Sequence, residues 1–451
     1  MYASNSKVKQ LIADFVVAAG EDVNAGDVVS FVNGFLKKGF DYDVSYGEAE
    51  VFNPGSTNYI SAAALSETKF VVAYRDEANS GRPTGIIGNL TGNRITYGSE
   101  HVFDSQADYI SVAALSPAKF VVVYCKVDIG EAVIGDVSGD IVTYSVAGSF
   151  NDSSSSHISV VNLSPTRVVV AYLNELTDND EVVVGHVSGD TIVFGSQHIF
   201  SSRTEDISVA GLSEARFVVA YRDDDTNGGN VVIGDVSGDV IKLSSGYEFN
   251  SGAEYISVGG ISDTKFVVVY ESAMGYGKAI IGDVSGTTVT FGSEAVFDLE
   301  GSGPLSVGVL SDAKIVVAYC NFDGGAAVIG DVNANTITFD SQYTFDPSAW
   351  YVSVVGLSET ALVVAYQSSM GYGKAIIGDT DCANVIGIAK ESGAQLETVP
   401  VIISGVSDVH SDLTRGAFYY GHTSGNLASY VSDWPVGLAI SATEILVDIE
   451  R

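Results

Sequence analysis

The chain has 451 residues; 46% of them are apolar, and 22 Lys and Arg against 56 Asp and Glu give a formal net charge of −34. A surface this acidic repels phosphate backbones, so nucleic acid is not an expected partner. No apolar run is long enough to cross a bilayer, so we expect no membrane insertion and a large core instead. Three cysteines argue against a disulfide framework, and the apolar stretch near Met1 is too short for a secretory signal, so we expect no targeting segment.

The N-terminal flank, residues 1–42, carries no internal repeat. It contains two short apolar segments around an Ala-Gly-Asp turn at residues 25–27, a pattern that predicts two strands. The next stretch, DVSYGEAEVFN at residues 43–53, matches TVTFGSEAVFD at residues 288–298, with Val, Gly, Val and Phe in register. Residues 43–53 are therefore predicted to form the last strand of a repeat copy.

Seven repeat copies follow, which we number 1 to 7 in chain order. Copies 1 to 6 each contain four strand-like segments, written in copy 4 as ISVAGLS, FVVAY, VVIGDVSG and VIKLSSGYEF, and copy 7 contains the first three. A period of 47–50 residues filled with strands indicates a β-propeller or another β array. The first strands of the seven copies start at Ile60, Ile110, Ile158, Ile207, Ile256, Leu305 and Val352.

The second strand of each copy distinguishes between these architectures. Segments such as FVVVY are continuously apolar, so both faces must be covered, as they are when each blade of a propeller lies between two neighbours. Copy 7 lacks a fourth strand after residue 379, and residues 43–53 supply the matching segment. We predict an all-β protein in which residues 43–379 form a seven-bladed propeller, closed by the N-terminal strand so that no edge stays open.

Three positions are the same in every copy and are predicted to hold the scaffold together. Glycine allows close backbone approach, and Ser and Tyr can satisfy buried hydrogen bonds. The glycines are Gly88, Gly135, Gly185, Gly234, Gly282, Gly330 and Gly378. The tyrosines are Tyr74, Tyr124, Tyr172, Tyr221, Tyr270, Tyr319 and Tyr366. The serines are Ser61, Ser111, Ser159, Ser208, Ser257, Ser306 and Ser353.

Two sets of loops differ strongly between copies: those joining the second and third strands, and those joining one copy to the next. In four-stranded blades both sets open on the same face, and variation confined to one face of a rigid ring is typical of a recognition surface. The alternative is that these loops vary because nothing constrains them.

Aromatic side chains in these loops are the candidate ligand contacts. Their rings can stack on the C–H faces of sugars, while neighbouring acidic and amide groups accept hydrogen bonds from hydroxyls. Tyrosines that recur at the start of the first strand could instead fill the gap between blades; these are Tyr59, Tyr109 and Tyr255. The predicted ligand-binding residues are Trp350, Tyr351, Tyr276, Tyr372 and Arg222.

One loop has the spacing of a cation site. Asp223, Asp225 and Asn227 alternate ahead of a glycine, as Ca²⁺ ligands do, but no glutamate follows at the expected distance. A solvated acidic loop is the alternative. No catalytic motif or nucleophile elbow is present, so we expect a protein that is not an enzyme, although paired carboxylates of a glycosidase from distant blades would leave no local motif.

The C-terminal flank, residues 380–451, carries no repeat either, and we predict that it joins residues 1–42 in one small β domain that serves docking or oligomerisation. Its segments VPVIISGVSDVHSDLTRGAFYYGHTSGNL and VGLAISATEILV resemble a terminal module of bacteriophage tail-fibre and other virion fibre proteins. The match departs from that module at Asp412 and Arg415, where glycine and proline are usual. The repeat itself resembles one found in phage-like and marine microbial proteins.

This resemblance implies a virion protein: a tail fibre or receptor-binding protein whose propeller loops bind a host-surface glycan. Other virion proteins would then be partners, and a homotrimer is the usual assembly of fibres. The alternatives are a secreted or cell-surface lectin-like adhesin, an inert structural spacer and, less favoured, a glycan-degrading enzyme.

Overall fold

The chain folds as two compact units, residues 44–379 and a discontinuous unit of residues 1–43 and 380–451. The predicted boundary after residue 42 therefore moves by one residue. A computed structural model describes residues 45–92 and 94–380, and elsewhere only the backbone of strands. The turns with Asp412 and Arg415 lie outside the described residues. Within the described part, no helix has the length and apolar character required to span a membrane.

The discontinuous unit contains one nine-stranded sheet to which both flanks contribute. Thr398–Ser407 pairs with Leu11–Val16 from the N-terminal flank and with Ile445–Asp448 from the C-terminal flank. Val28–Val32 pairs with Val385–Ala389. The other strands are Phe35–Lys38, Phe418–Gly421, Leu427–Ala428 and Trp434–Ala439. Docking and oligomerisation remain predictions for this unit.

Each copy of the repeat forms an antiparallel sheet in which consecutive strands are neighbours. In copy 4 the order is Thr204–Ser213, Arg216–Asp223, Gly229–Ser237 and Val240–Leu243. The predicted fourth strand is split in two, because its second half, Tyr247–Asn250, pairs separately with the third strand. Five sheets therefore contain five strands each.

The remaining strands follow the same pattern. First strands are Glu50–Ser66, Asp108–Ser116, Ser155–Ser164, Ala253–Ser262, Leu305–Ser311 and Ala349–Gly356. Second strands are Lys69–Asp76, Lys119–Lys126, Arg167–Asn174, Lys265–Ser272, Lys314–Asn321 and Ala361–Ser368. Third strands are Arg82–Thr91, Ile129–Ser138, Asn179–Ser188, Gly277–Ser285, Gly324–Asn333 and Tyr372–Asp379. The split fourth strands are Arg94–Tyr97 with His101–Val102, Ile141–Tyr144 with Gly148–Asn151, Thr191–Phe194 with His198–Ser202, Thr288–Phe291 with Ala295–Asp298, and Thr336–Phe339 with Tyr343–Asp346. A short 3₁₀ helix, Glu77–Asn79, follows the second strand of copy 1.

Copies 1 and 7 share one sheet of nine strands, so the propeller unit has six hydrogen-bonded sheets where seven separate ones are predicted. The reason is the length of strand Glu50–Ser66. Its first half pairs with the third strand of copy 7, for example Val51 with Lys374, and its second half pairs with the second strand of copy 1. Strand Ser45–Tyr46 also pairs with copy 7, at Asp379 and Gly378.

The core lies between adjacent copies, as the continuously apolar second strands predict. In one cluster, Val169 of copy 3 packs with Phe217 and Val219 of copy 4, and all three are fully buried. An equivalent cluster joins Val363 of copy 7 to Phe70 of copy 1. These contacts between sheets, together with the strand order, define the fold as a β-propeller.

The repeated serines link the first strands into a cycle. Each seryl Oγ accepts a hydrogen bond from a backbone N–H of the next copy at 3.1–3.2 Å; the Val112 N–H, for example, donates to Ser61 Oγ. The last bond runs from the Ala62 N–H to the Ser353 Oγ, which connects copy 7 to copy 1. These hydrogen bonds are the predicted role of the serines.

The other two repeated positions also have scaffold roles. A Cβ placed on Gly234 would lie 2.1 Å from Phe217 Cζ, so only glycine fits against this ring. Most of the tyrosine hydroxyls donate to acidic or amide side chains near the sheet edge, as Tyr172 does to Glu181 at 2.6 Å and Tyr319 to Gln342 at 2.8 Å.

Candidate functional site

A groove of 810 Å³ lies among the loops of copies 5, 6 and 7; we call it the rim groove. Met274 comes from the loop between the second and third strands of copy 5, and Phe322 from the same loop of copy 6. Leu299 comes from the connection between copies 5 and 6, and Trp350 is the second residue of the first strand of copy 7, next to the connection from copy 6. The two variable loop sets therefore meet at one site, as the sequence predicts.

The groove depends on an irregularity in copy 6. In the other copies, the residue before the first-strand Ile or Val has φ of 49–53°; these residues are Tyr59, Tyr109, His157, Asp206, Tyr255 and Tyr351. Copy 6 has Pro304 there, and the proline ring fixes φ near −65°. Its first strand begins only at Leu305, whereas the first strand of copy 5 begins at Ala253. Residues 299–304 belong to no strand and contribute a wall of the groove, although the Gly303 N–H still donates to the Cys320 carbonyl at 2.6 Å.

Large apolar side chains around the groove are exposed. Phe322 is 89% exposed, Met274 80%, Leu299 68% and Trp350 55%. Several exposed apolar groups around one concavity are characteristic of an interaction site, because a soluble surface rarely concentrates them without a partner. The groove can therefore cover an apolar face of a ligand.

The polar side chains of the groove carry acidic, amide and hydroxyl groups, and none of the described residues that line it is Lys or Arg. Burial, with the nearby charge of Glu254, raises the pKa of Glu271, which is half-buried. Asn321 is held in place, since its Nδ2 donates to Asp298 Oδ2 at 3.2 Å and its Oδ1 accepts from the Asp323 N–H at 3.0 Å. Glu271 and Glu300 add hydrogen-bond acceptors to the apolar surface.

The structure separates the predicted ligand-binding residues. Trp350 lines the rim groove, whereas its neighbour Tyr351, with φ of 50° at a shift in strand register, lines a second cavity. Tyr276 and Tyr372 are half-buried and line neither of these two cavities, although Met274 of the same loop as Tyr276 does.

Arg222 is engaged within the protein and not in the groove. Its guanidinium bonds Glu205 and donates to Asn227 Oδ1 at 2.6 Å, and its side chain is 18% exposed. The prediction that Arg222 contacts a ligand is therefore not supported by its position.

Three exposed apolar residues that line the groove were not predicted as ligand contacts: Met274, Leu299 and Phe322. For Phe322 the sequence contains a usable signal. Copies 2 and 6 share a cysteine two residues earlier, but copy 2 has Val127 where copy 6 has Phe322. A large aromatic residue in a loop is the kind of difference that marks a site. Leu299 and Met274 have no comparable signal.

The predicted cation loop does not have the geometry of a Ca²⁺ site. Asn227 Oδ1 accepts from the Arg222 guanidinium, whose positive charge disfavours a second cation. Asp223 Oδ1 accepts from the N–H and Oγ1 of Thr226. Among residues 46–92 and 94–380, no group of three or more His, Cys, Asp or Glu is placed to hold a metal ion. The acidic-loop alternative fits these contacts.

The second cavity, of 300 Å³, is encircled by the start of the first strand of all seven copies; we call it the axial cavity. Tyr59 packs against Tyr109 with ring centroids 5.4 Å apart and against Tyr351 at 6.1 Å. Tyr109 in turn lies 5.9 Å from the His157 ring. Tyr59 and Tyr109 therefore line the axial cavity and also pack against the clusters between adjacent copies, as the gap-filling alternative predicts.

Comparison with known proteins identifies the fold. No family model matches the chain, and no curated protein matches it in sequence. Among solved structures, the BP39L lectin from Burkholderia pseudomallei is similar with a TM-score of 0.55 at 12% identity, covering 73% of this chain and 97% of the lectin. A protein of unknown function from Dyadobacter fermentans has a TM-score of 0.46 at 12% identity, covering 74% and 99%. The Aleuria aurantia lectin with α-methyl-L-fucoside has a TM-score of 0.44 at 12% identity, covering 66% and 98%. At this identity the likeness to the BP39L lectin shows a shared fold and nothing more. The other two structures have TM-scores below 0.5 and are too distant to add to this.

Proposed function

We propose that the propeller unit is a carbohydrate-binding module of the lectin type and that the rim groove is its binding site. The observation that carries this proposal is the position of exposed Trp350 and Phe322 beside the acceptors Glu271 and Glu300 in one groove. A sugar presents an apolar C–H face and a rim of hydroxyl donors, and this arrangement matches both. A volume of 810 Å³ is within the range of small-ligand sites.

The comparison makes carbohydrates the first class of ligand to test. The solved structure that shares the fold best among those cited is a lectin. This agrees with the lectin-like alternative predicted from the sequence. Nothing among the comparisons points to a virion, so the tail-fibre role, the virion partners and the trimer stay proposals that rest on the resemblance of the C-terminal flank.

We further propose that the nine-stranded sheet acts as two blades, so that the ring is a seven-bladed propeller closed by the N-terminal strand. The support is the cycle of seven serine hydrogen bonds. The bond between copies 7 and 1 joins the same donor and acceptor positions as the other six. A closed, rigid ring would hold the loops of the rim groove in place without help from a ligand.

The proposal is tested by a glycan array probed with the labelled full chain, followed by calorimetry with the best glycan and variants. Trp350→Ala and Phe322→Ala should each weaken binding about tenfold, since an aromatic anchor of this kind contributes on the order of 1–2 kcal/mol. The matched control is Val127→Ala, at the position equivalent to Phe322 in copy 2; Val127 is 62% exposed and lies outside the groove. It should leave affinity unchanged.

The outcomes separate the alternatives. No binding to any glycan by the full chain, or binding that survives both aromatic substitutions, would refute the rim groove as a sugar site. Recovery of the bound glycan intact, by mass spectrometry after prolonged incubation, is expected of a lectin. Cleavage of the glycan would instead support the enzyme alternative.

A further inference from the structure

The axial cavity is built from one sequence position that differs in chemistry from copy to copy. At six of the seven copies that position holds a non-glycine residue at φ of 49–53°, which costs conformational free energy. The shared backbone turns these side chains toward the axis, where they line the cavity. The side chains at this level are Tyr59, Tyr109, His157, Asp206, Tyr255 and Tyr351, with Pro304 at the seventh position.

The walls are aromatic and the level below is aliphatic. Four tyrosines and one histidine surround the opening, and the tyrosines are half-buried or partly exposed, with Tyr255 at 39% and Tyr351 at 41%. Beneath them the next residue of each copy is Ile, Leu or Val. Aromatic faces carry negative electrostatic potential, so such walls attract a cation with an apolar surface.

Asp206 supplies the charge that selects a cation. It is the one charged carboxylate among the described residues lining the cavity, and no Lys or Arg lines it. Asp206 Oδ2 accepts from the Tyr255 N–H at 2.7 Å, which fixes the carboxylate in place. Its backbone N–H donates to His157 Nδ1 at 3.2 Å, so the neutral imidazole has its proton on Nε2.

Asp206 lies in surroundings that disfavour its charge. Burial raises the pKa of Asp206 above its ordinary value, because few waters stabilise the ionised form; the hydrogen bond from the Tyr255 N–H, His157 and Arg222 lower it only in part. The Arg222 guanidinium is itself engaged with Glu205 and Asn227. A bound cation would stabilise the ionised carboxylate of Asp206 and offset the effect of burial.

We propose that the axial cavity is a second binding site, for a small organic cation of the quaternary-ammonium class. The trimethylammonium group would lie against the tyrosine faces with its charge toward Asp206, and its methyl groups would contact the aliphatic level below. The axial cavity shares Tyr255 and Pro304 with the rim groove, but Asp206 and Tyr109 line only the axial cavity and Trp350 lines only the rim groove, so variants can test the two sites separately.

The experiment compares choline with its neutral isostere, 3,3-dimethylbutan-1-ol, by calorimetric titration of the full chain at low salt. Choline should bind at least tenfold more tightly, because the two molecules differ only in charge. Asp206→Asn should weaken choline binding at least tenfold while keeping an oxygen for the Tyr255 N–H, and Tyr109→Leu should weaken it severalfold. Trp350→Ala, in the other groove, should have no effect.

Unchanged thermal unfolding of Asp206→Asn would show that its loss of binding is not a loss of fold. Equal binding of the two ligands, no binding of choline at millimolar concentration, or choline binding unaffected by Asp206→Asn would each overturn the proposal. Failure of glycan binding at the rim groove would leave it standing.

Discussion

Asp180 is a fully buried carboxylate at a position where five other copies have glycine. Its Oδ1 accepts from the N–H and Oγ1 of Thr204, whereas its Oδ2 has no partner among the described residues. Burial raises the pKa of Asp180 to about 6, and the charges of Asp223 and Glu181 act in the same direction. This side chain therefore destabilises the folded state when it is ionised.

Asp180→Asn should stabilise the protein at pH 7 by about 1–3 kcal/mol, because the amide needs no charge and can keep the bonds to Thr204. The pKa is raised on folding, so the wild-type protein gains stability as the pH falls from about 6 to about 4. The advantage of the variant should then vanish. Urea unfolding at pH 7 and pH 4 measures this difference.

Asp178→Asn is the control, since Asp178 is exposed in the loop just before the strand that contains Asp180. An equal effect of the two substitutions, or an advantage of Asp180→Asn that does not depend on pH, would contradict this account of Asp180.

The scaffold positions could be predicted from the sequence at this scale, but Asp180 and the axial residues could not. Gly234, Ser208 and Tyr172 recur because each blade makes the same contact, and internal repetition reveals that. Asp180 and Asp206 occur once each, and their importance depends on burial that no repeat pattern shows. Trp350 was singled out as a rare aromatic residue next to a variable loop; it lines the rim groove, and its contact with a ligand stays a prediction.

At the scale of elements, the strand from residue 50 to residue 66 joins the two ends of the repeat array. Phe52 on this strand packs against Gly373 of copy 7, where an added Cβ would lie 2.3 Å from Phe52 Cε2. Inside copy 5, a Cβ added to Gly277 would likewise lie 2.4 Å from Phe297 Cε2. The contact donated by the N-terminal strand is thus as close as one made within a single copy.

Gly373→Ala and Gly277→Ala should therefore destabilise the propeller unit by similar amounts, about 1–3 kcal/mol each, because the added methyl group overpacks a rigid contact. Denaturant unfolding of the two variants measures the comparison. A cost for Gly277→Ala with none for Gly373→Ala would show that Phe52 yields easily and that the donated strand is only loosely held.

The donated strand could be predicted because residues 43–53 keep the sequence pattern of a fourth strand. The late start of the first strand in copy 6 could not, since the spacing of the copies is hardly altered there. The proline ring by itself keeps Pro304 from the φ of its counterparts, but only the structure shows that residues next to it line the rim groove.

At the scale of the whole molecule, the seven copies of the repeat share the residues that join neighbouring copies, and their loops differ. The rim groove interrupts the near-symmetry between copies 5 and 7, and the axial cavity lies where all copies meet. A charge of −34 gives the molecule a surface that favours neutral or cationic ligands over acidic ones. For the rim groove this points to neutral or amino sugars.

The most direct test of carbohydrate binding is an experimental structure of the full chain with the glycan that binds best on the array. We expect one sugar ring stacked on Trp350 in the rim groove, with a hydroxyl donating to Glu271. A glycan bound instead at the loops of another copy, in the axial cavity or on the discontinuous unit would contradict the assignment of the site.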